Sequence, residues 1–118
     1  VTVRAIDRRL VEGLDLQALA VLSLSPEQFS ARLGVVFDTV DDDLDSAQVA
    51  ALEGDGVRFL LMRGINEPGE GTNLLTPDEG DPTELTRLFI DASELTPAEV
   101  TLRWTGRDWV ESPLSTVG

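Results

Sequence analysis

The chain of 118 residues contains no lysine, histidine, cysteine or tyrosine, and its aromatic residues are four Phe and two Trp. Without cysteine there is no disulfide bond, no thiolate nucleophile and no cysteine-ligated zinc or iron–sulfur cluster. Without histidine and lysine, the commonest general base and transition-metal ligand are missing, as are Schiff bases and the lysine of P-loop sites. Only carboxylates, hydroxyls, arginine and backbone groups remain for chemistry, and we expect no cofactor.

Long apolar runs are also missing. The longest run near the start of the chain covers residues 18–22, far short of the roughly 18 residues that a membrane span needs. Glu12 and Asp15 interrupt the apolar stretch that follows the first arginines, which argues against a signal peptide. We therefore expect a soluble, cytoplasmic protein with no membrane partner. With 42% apolar residues and no repeat or linker, residues 1–118 are expected to form a single acidic domain.

The charge of the chain is strongly one-sided. Nine arginines stand against 22 acidic residues, which gives a formal net charge of -13. Nucleic acids are poor partners for such a chain, because phosphate binding needs clustered cations and these arginines are scattered. A basic protein is a better candidate, since a negative surface speeds its encounter with opposite charge. Solubility, a salty cytoplasm or GC-rich coding would also account for the acidity, and a homo-oligomer stays open.

Two segments carry clear helix starts. Ser25 and Gln28 have the spacing of a capping box with Pro26 in the first turn, and Gly34 is expected to end that helix. Residues 81–84 repeat the same start chemistry. The second helix should bury a one-sided apolar stripe formed by Leu85, Leu88, Phe89, Ala92 and Leu95.

A third helix is predicted over residues 4–22, where apolar side chains recur at near-helical spacing and would form its inner face. These residues are Ile6, Leu10, Leu14, Ala18, Val21 and Leu22. Gly13 weakens this prediction. The even positions from 14 to 24 also alternate, so a helix that gives way to a short strand is an alternative.

Strand signals follow in several places. Residues 35–40 are β-branched and aromatic in character, although a helix continued through Gly34 is an alternative. Asp-Gly between residues 47–53 and 57–63 indicates a hairpin, although the alanines at 47, 50 and 51 would suit a helix equally well. Residues 57–63 are apolar on both faces, which suits a central strand. A Pro-Gly-rich turn then leads to a strand at 72–76. The whole order predicts an α+β fold: an antiparallel sheet of about four to six strands with about two or three helices packed mainly on one face.

The densest negative charge is the acidic run Asp41, Asp42, Asp43 and Asp45. In an extended chain alternate carboxylates of this run would point to one side, where they could hold Ca²⁺ or Mg²⁺. The EF-hand spacing is not met, because the sixth position counted from Asp41 is Ser46 and the twelfth is Leu52. We therefore expect a solvated loop that holds no metal and steers association with a partner.

Other patterns that could carry chemistry are weak. Residues 54–56 and 69–71 contain paired glycines, but neither pair continues into a nucleotide-binding loop. Residues 38–40 read Asp-Thr-Val, where aspartic proteases need glycine in the third position. Any two of the 22 acids could form a glycosidase-type pair. We assign no catalytic residue.

A terminal hairpin is predicted between residues 100–104 and 109–110. With Gly106 and Arg107 as its turn residues, Trp104 and Trp109 would lie directly opposite each other. Packing alone accounts for such a pair. Because Trp and Arg are enriched at binding hot spots, the pair and its neighbours Arg103 and Arg107 are also a candidate anchor for a partner.

These observations favour a non-enzymatic protein-interaction domain that presents an acidic surface to another protein. We therefore expect an adaptor, an accessory chaperone, or a protein of the inhibitor or immunity type. The alternatives are a small-ligand or divalent-cation-binding module and a carboxylate-dependent hydrolase. The candidate partner-binding residues are Asp41, Asp42, Asp43, Asp45, Arg103, Trp104, Arg107 and Trp109.

Overall fold

The computed structural model describes residues 3–11, 13–41, 46–65 and 71–111. Within these ranges the chain forms an α+β fold with two α-helices, α1 (Pro26–Leu33) and α2 (Pro82–Ser93). Short 3₁₀ turns lie at Arg8–Leu10 and Pro97–Glu99. The strands are β1 (Arg4–Ala5), β2 (Gln17–Leu22), β3 (Asp38–Asp41), β4 (Ser46–Gly54), β5 (Val57–Gly64), β6 (Thr72–Thr76), β7 (Val100–Trp104) and β8 (Trp109–Val110).

The described strands form one 8-stranded antiparallel sheet in the order β1-β4-β5-β6-β2-β7-β8. The remaining strand, β3, pairs with the first half of β4, while β1 pairs with its second half. The sheet is larger than the sequence predicted. The additional strands are very short or come from residues that helical spacing had assigned to a helix.

The predicted helix over residues 4–22 is wrong. This segment contains β1, one 3₁₀ turn and β2. Val11 is buried, whereas Leu10 and Leu14, which helical spacing placed on the inner face, are 53% and 45% exposed. Gly13 has a positive φ of 78°, which breaks any helix there. The alternative prediction placed a short strand at the end of this segment, and β2 lies there.

The capping chemistry of α1 is confirmed. The backbone N–H of Gln28 donates to Ser25 Oγ at 3.2 Å, and the backbone N–H of Ser25 donates to Gln28 Oε1 at 2.8 Å. Gly34 ends the helix with a φ of 70°, in the left-handed region that glycine adopts without strain. A helix continued through Gly34 is therefore wrong. The strand that follows begins at Asp38, three residues later than the predicted range, and Val36 is 80% exposed.

Helix α2 also begins as predicted, with the Asp81 carboxylate accepting a hydrogen bond from the backbone N–H of Glu84 at 3.1 Å. The helix ends at Ser93, and Glu94 takes a left-handed conformation with a φ of 58°. Its inner side packs on the sheet through Phe89, whose ring lies 5.0 Å from that of Phe59 in an edge-to-face contact. Helix α2 thereby covers the middle of the sheet.

The central hairpin is confirmed as well. Gly54 lies opposite Val57, and the two residues between them, Asp55 and Gly56, have positive φ values of 50° and 80°. Two positive φ values in a two-residue loop are the turn that favours Asp-Gly. The β5–β6 pairing is present too, while the turn residues 66–70 between these strands lie outside the described part of the chain.

The two faces of the sheet are covered differently. The main core lies between the sheet and both helices, and it includes Leu22, Phe29, Phe59, Leu61, Leu74 and Phe89. A smaller apolar cluster lies on the opposite face and contains Val11, Val49, Ala51 and Leu60. Strand β5 contributes to both clusters, as its apolar residues on both faces predicted.

Candidate protein interface

The face of the sheet opposite the helices has an apolar part that is only half covered. Side chains alternate along each strand, and residues directly opposite each other on paired strands share a face. One cross-strand row can therefore be followed through the register of six strands. Its members, in spatial order, are Asp38, Val49, Met62, Asn73, Val21 and Leu102.

Val49 is the most deeply buried member of this row. Val49 is only 6% exposed, and it belongs to the small cluster with Val11, which follows the first 3₁₀ turn. Met62, Val21 and Leu102 are half-buried. The buried residues that both helices contribute to the apolar clusters belong to the main core on the other face. The surface formed by Met62, Asn73, Val21 and Leu102 is therefore partly open and, apart from Asn73, apolar, and we call it the open face.

Carboxylates mark both ends of this row. Asp38 begins β3 and is exposed. Glu111 is also exposed, and it lines the same shallow depression as Leu102. Within the described part of the chain neither carboxylate forms an ion pair. The open face thus lies between two negative charges that form no arginine ion pair in the described residues.

The predicted Trp hairpin is present beside the open face. Trp104 lies directly opposite Trp109, with the ring centroids 5.4 Å apart and the rings inclined by 55°. The backbone N–H of Thr105 donates to the carbonyl of Asp108 at 3.1 Å, which closes the turn around Gly106 and Arg107. Alternation along β7 places Trp104 on the same face as Leu102. Trp109 is 44% exposed, so the pair extends the open face toward the sheet edge.

The two flanking arginines lie in different surroundings. Arg103 points toward the helices, where its Nη1 donates to Thr83 Oγ1 at 3.4 Å. Its Nε is buried and has no hydrogen-bond partner in the described structure. Arg107 occupies the exposed tip of the turn. The structure therefore brings Trp104 and Trp109 together on one face but does not place both arginines beside them.

Asp41 is the residue of the acidic run that the structure describes. Asp41 ends β3 and is exposed, and the Ser46 hydroxyl donates to its Oδ1 at 2.5 Å. Asp42, Asp43 and Asp45 lie outside the described residues. Among the residues that are described, no group of three or more acidic side chains could hold a metal ion. The cation-binding alternative therefore gains no support from this part of the chain.

The carboxyl groups with clearly shifted pKa values, in the described ranges, are all engaged by arginine. Hydrogen bonds from Arg9 lower the pKa of Asp7. Partial burial alone would raise the pKa of Asp78 and of Glu99, but hydrogen bonds outweigh it and lower both. Arg58 donates these hydrogen bonds to Asp78. For Glu99, the main donors are the Thr96 backbone and Arg32. A general acid of the glycosidase type needs a raised pKa, so these groups have the character of structural ion pairs.

A small, mainly apolar pocket of about 160 Å³ lies beside Val49 in the row. Its lining residues are Arg8, Val11, Gly13, Leu14, Leu16, Val40, Val49 and Leu60. Ligand sites for drug-sized molecules usually measure about 300–1,000 Å³, so this pocket is small for such a role. Leu14 and Leu16 are 45% and 38% exposed at its rim and add further apolar surface.

Sequence reasoning identified the two tryptophans but missed most of the open face. Val21 was placed in a helix, and Leu102 was assigned only a strand position. Met62 did carry a signal. It lies on the second apolar face of a central strand, and when the helices pack on one face of the sheet, something else must cover the other face.

No helix in the described ranges is long and apolar enough to cross a membrane. Comparison with protein-family models, with curated proteins and with solved structures finds no match for this chain.

Proposed function

We propose that this chain is a non-enzymatic protein-interaction domain that binds its partner through the open face. The observation that supports this most directly is the row Met62, Asn73, Val21 and Leu102, which is half-buried and lies on the face opposite both helices. Three of these four residues are apolar, and partly exposed apolar surface of this kind marks interaction sites in soluble domains. The neighbouring tryptophan pair adds the residue type most enriched in binding hot spots.

The composition agrees with a binding role. Catalytic sites depend most often on histidine, cysteine or lysine, and this chain has none of the three. The acidic surface contributes in a second way, because a net charge of -13 speeds encounter with a basic partner. The open face would then hold the partner by burial of apolar side chains.

Site-specific photo-crosslinking tests this proposal. A photoreactive amino acid is placed at Leu102 in the full chain, and the protein is irradiated in a native lysate. The matched control carries the same group at Val36, which is apolar and 80% exposed but precedes β3 and is not part of the row. We expect a discrete crosslinked species at Leu102 that is absent at Val36.

The size of the crosslinked species decides between partners. A heterologous species specific to Leu102 supports the proposal. A species of twice the chain mass identifies a second copy of this chain as the partner. If both positions give the same diffuse products, the open face is not an interface and the proposed function is wrong.

A further inference from the structure

We infer that the partner segment is a basic amphipathic α-helix that lies across the strands along the row from Asp38 to Leu102, with Glu111 beside its far end. This inference rests on the proposed function and specifies the chemistry of what binds there. Three features of the open face support it: the length of the row, the charges at its two ends, and the side chains in between.

The length of the row suits a helix of ordinary size. The register connects six strands from Asp38 to Leu102. With neighbouring strands about 4.8 Å apart, this corresponds to a row of about 24 Å. A helix rises 1.5 Å per residue, so about 16 residues would cover the row.

The charges select the sign of the partner. Asp38 and Glu111 carry exposed carboxylates at opposite ends, and neither is paired with an arginine in the described structure. The apolar middle of the row between them contains no charged residue. A helix with a central apolar stripe and Lys or Arg near both ends complements this pattern. A second copy of this chain does not, because two surfaces of the same negative sign would repel each other.

The middle of the row is suited to an apolar helix stripe. Met62 is unbranched and adapts its shape to different side chains, as methionines do at helix-binding surfaces. Val21 and Leu102 lie directly opposite each other and form the apolar floor on the other side of Asn73. A stripe of Leu or Ile at positions i, i+3, i+4 and i+7 would bury these half-exposed side chains.

The inference is tested with three synthetic peptides of about 18 residues. The first has a leucine stripe at helical spacing, with lysines at both ends. The second replaces each lysine by glutamate and keeps the stripe. The third has the composition of the first but a shuffled order without helical periodicity. Binding of each to the full chain is measured by isothermal titration calorimetry at near-physiological salt.

We expect saturable 1:1 binding of the basic amphipathic peptide, at least about tenfold tighter than binding of either control peptide. Leu102→Thr should weaken it about tenfold, because threonine keeps the strand propensity but removes the apolar contact. Val36→Thr, an exposed apolar position outside the row, is the control and should change nothing. Circular dichroism of both variants verifies that the fold is retained.

Each contrary result overturns the inference in a different way. Equal binding of the shuffled peptide means that composition suffices without a helical stripe, and equal binding of the acidic peptide means that the proposed sign of the partner's charge is wrong. If none of the peptides binds while crosslinking at Leu102 still captures a heterologous partner, the proposed function stands and the helical partner is wrong. A dimer in sedimentation that Leu102→Thr dissociates would show that a second copy occupies the face.

Discussion

The carboxylate of Asp78 accepts hydrogen bonds from both the guanidinium group and the backbone N–H of Arg58. The Arg58 Nη2 lies 2.7 Å from Asp78 Oδ1, and the backbone nitrogen of Arg58 lies 2.7 Å from Oδ2. The same guanidinium donates through Nη1 to the carbonyl of Leu10 at 3.1 Å. One arginine thus connects the start of β5, the loop after β6 and the 3₁₀ turn that precedes the buried Val11.

The first prediction concerns pH. The pKa of Asp78 is lowered, because hydrogen bonds from Arg58 outweigh the effect of partial burial. A pKa that is lower in the folded state gives stability that is present above the unfolded value, about 3.9, and is lost as pH falls through the folded value. Asp78→Asn should therefore lower the stability at neutral pH by about 1–2 kcal/mol, a Tm decrease of about 5 °C.

Thermal melts at a series of pH values provide the measurement. The Tm difference between wild type and Asp78→Asn should shrink as the pH falls below about 4. Asp38→Asn serves as a control at an exposed carboxylate without an ion pair in the described residues, and should change the stability by less than about 0.5 kcal/mol. A difference for Asp78→Asn that stays constant with pH would contradict the role of this ion pair.

The second prediction concerns the close approach of two strands at Gly71. A Cβ atom at this position would lie 2.8 Å from the carbonyl oxygen of Leu22 and 3.1 Å from Val21 Cγ1. The backbone oxygen belongs to β2 and cannot move without disturbing the sheet. Gly71→Ala should therefore destabilise the fold by about 1–3 kcal/mol. Ala98→Ser, at an exposed position, is the control and should change the stability by less than about 0.5 kcal/mol. Equal urea midpoints for the two variants would show that β2 shifts enough to accommodate the added methyl group.

A third prediction follows from the net charge. Even if every one of the nine arginines neutralised one acid, most of the 22 acidic residues would remain unpaired. They are confined to a fold with a radius of gyration of 13.2 Å, close to the Debye length of about 10 Å at 0.1 M salt. The Tm should therefore rise by several degrees between about 20 mM and about 500 mM KCl, as salt screens the repulsion. A flat or falling Tm would show that local ion pairs dominate the electrostatics.

Local features of the fold were predictable because their causes are local. Ser25 and Gln28 specify a helix start whatever surrounds them. Asp55-Gly56 indicates a two-residue turn with two positive φ values, which few other residue pairs tolerate. The opposition of Trp104 and Trp109 followed from the length of a single turn. In each case residues close in the sequence determine the structure.

Non-local features could not be predicted in this way. Strand β2 lies between β6 and β7, which are distant in the sequence, and its bulge at Leu19 shifts the alternation that would identify a strand. Because the bulge weakens the strand alternation, the helical spacing of apolar residues in 4–22 was the stronger signal, and it led to the wrong prediction. The open face depends on the pairing of Val21 with Leu102, so no local signal could place those two residues side by side.

The fourth prediction separates the interaction domain from the cation-binding alternative. A Ca²⁺ site would stabilise the folded state by about 2.7 kcal/mol at a hundredfold excess of Ca²⁺ over its Kd. We expect millimolar Ca²⁺ to raise the Tm only as much as Mg²⁺ at the same concentration, through general screening. A larger shift with Ca²⁺ that disappears in Asp43→Asn would instead assign a binding site to the acidic run.

The last prediction is that association with the partner and dissociation from it depend on different residues. Exposed carboxylates steer the encounter but contribute little once screened, whereas buried apolar contacts determine how long a complex lasts. The double variant Asp38→Asn with Glu111→Gln should slow association of the basic amphipathic peptide and flatten its salt dependence. Leu102→Thr should leave association unchanged and speed dissociation about tenfold.

Surface plasmon resonance at several salt concentrations measures both rates. Arg107→Ala tests how far the interface extends, because this exposed turn residue can lose its side chain without disturbing the Trp104–Trp109 pair. Faster dissociation of this variant places the Trp hairpin within the interface, as its arginine and tryptophan content predicts. If the carboxylate variant changes only dissociation, the negative charges make direct ion pairs in the complex and do not act by steering. In that case the partner's cations must contact Asp38 and Glu111 at the two ends of the row.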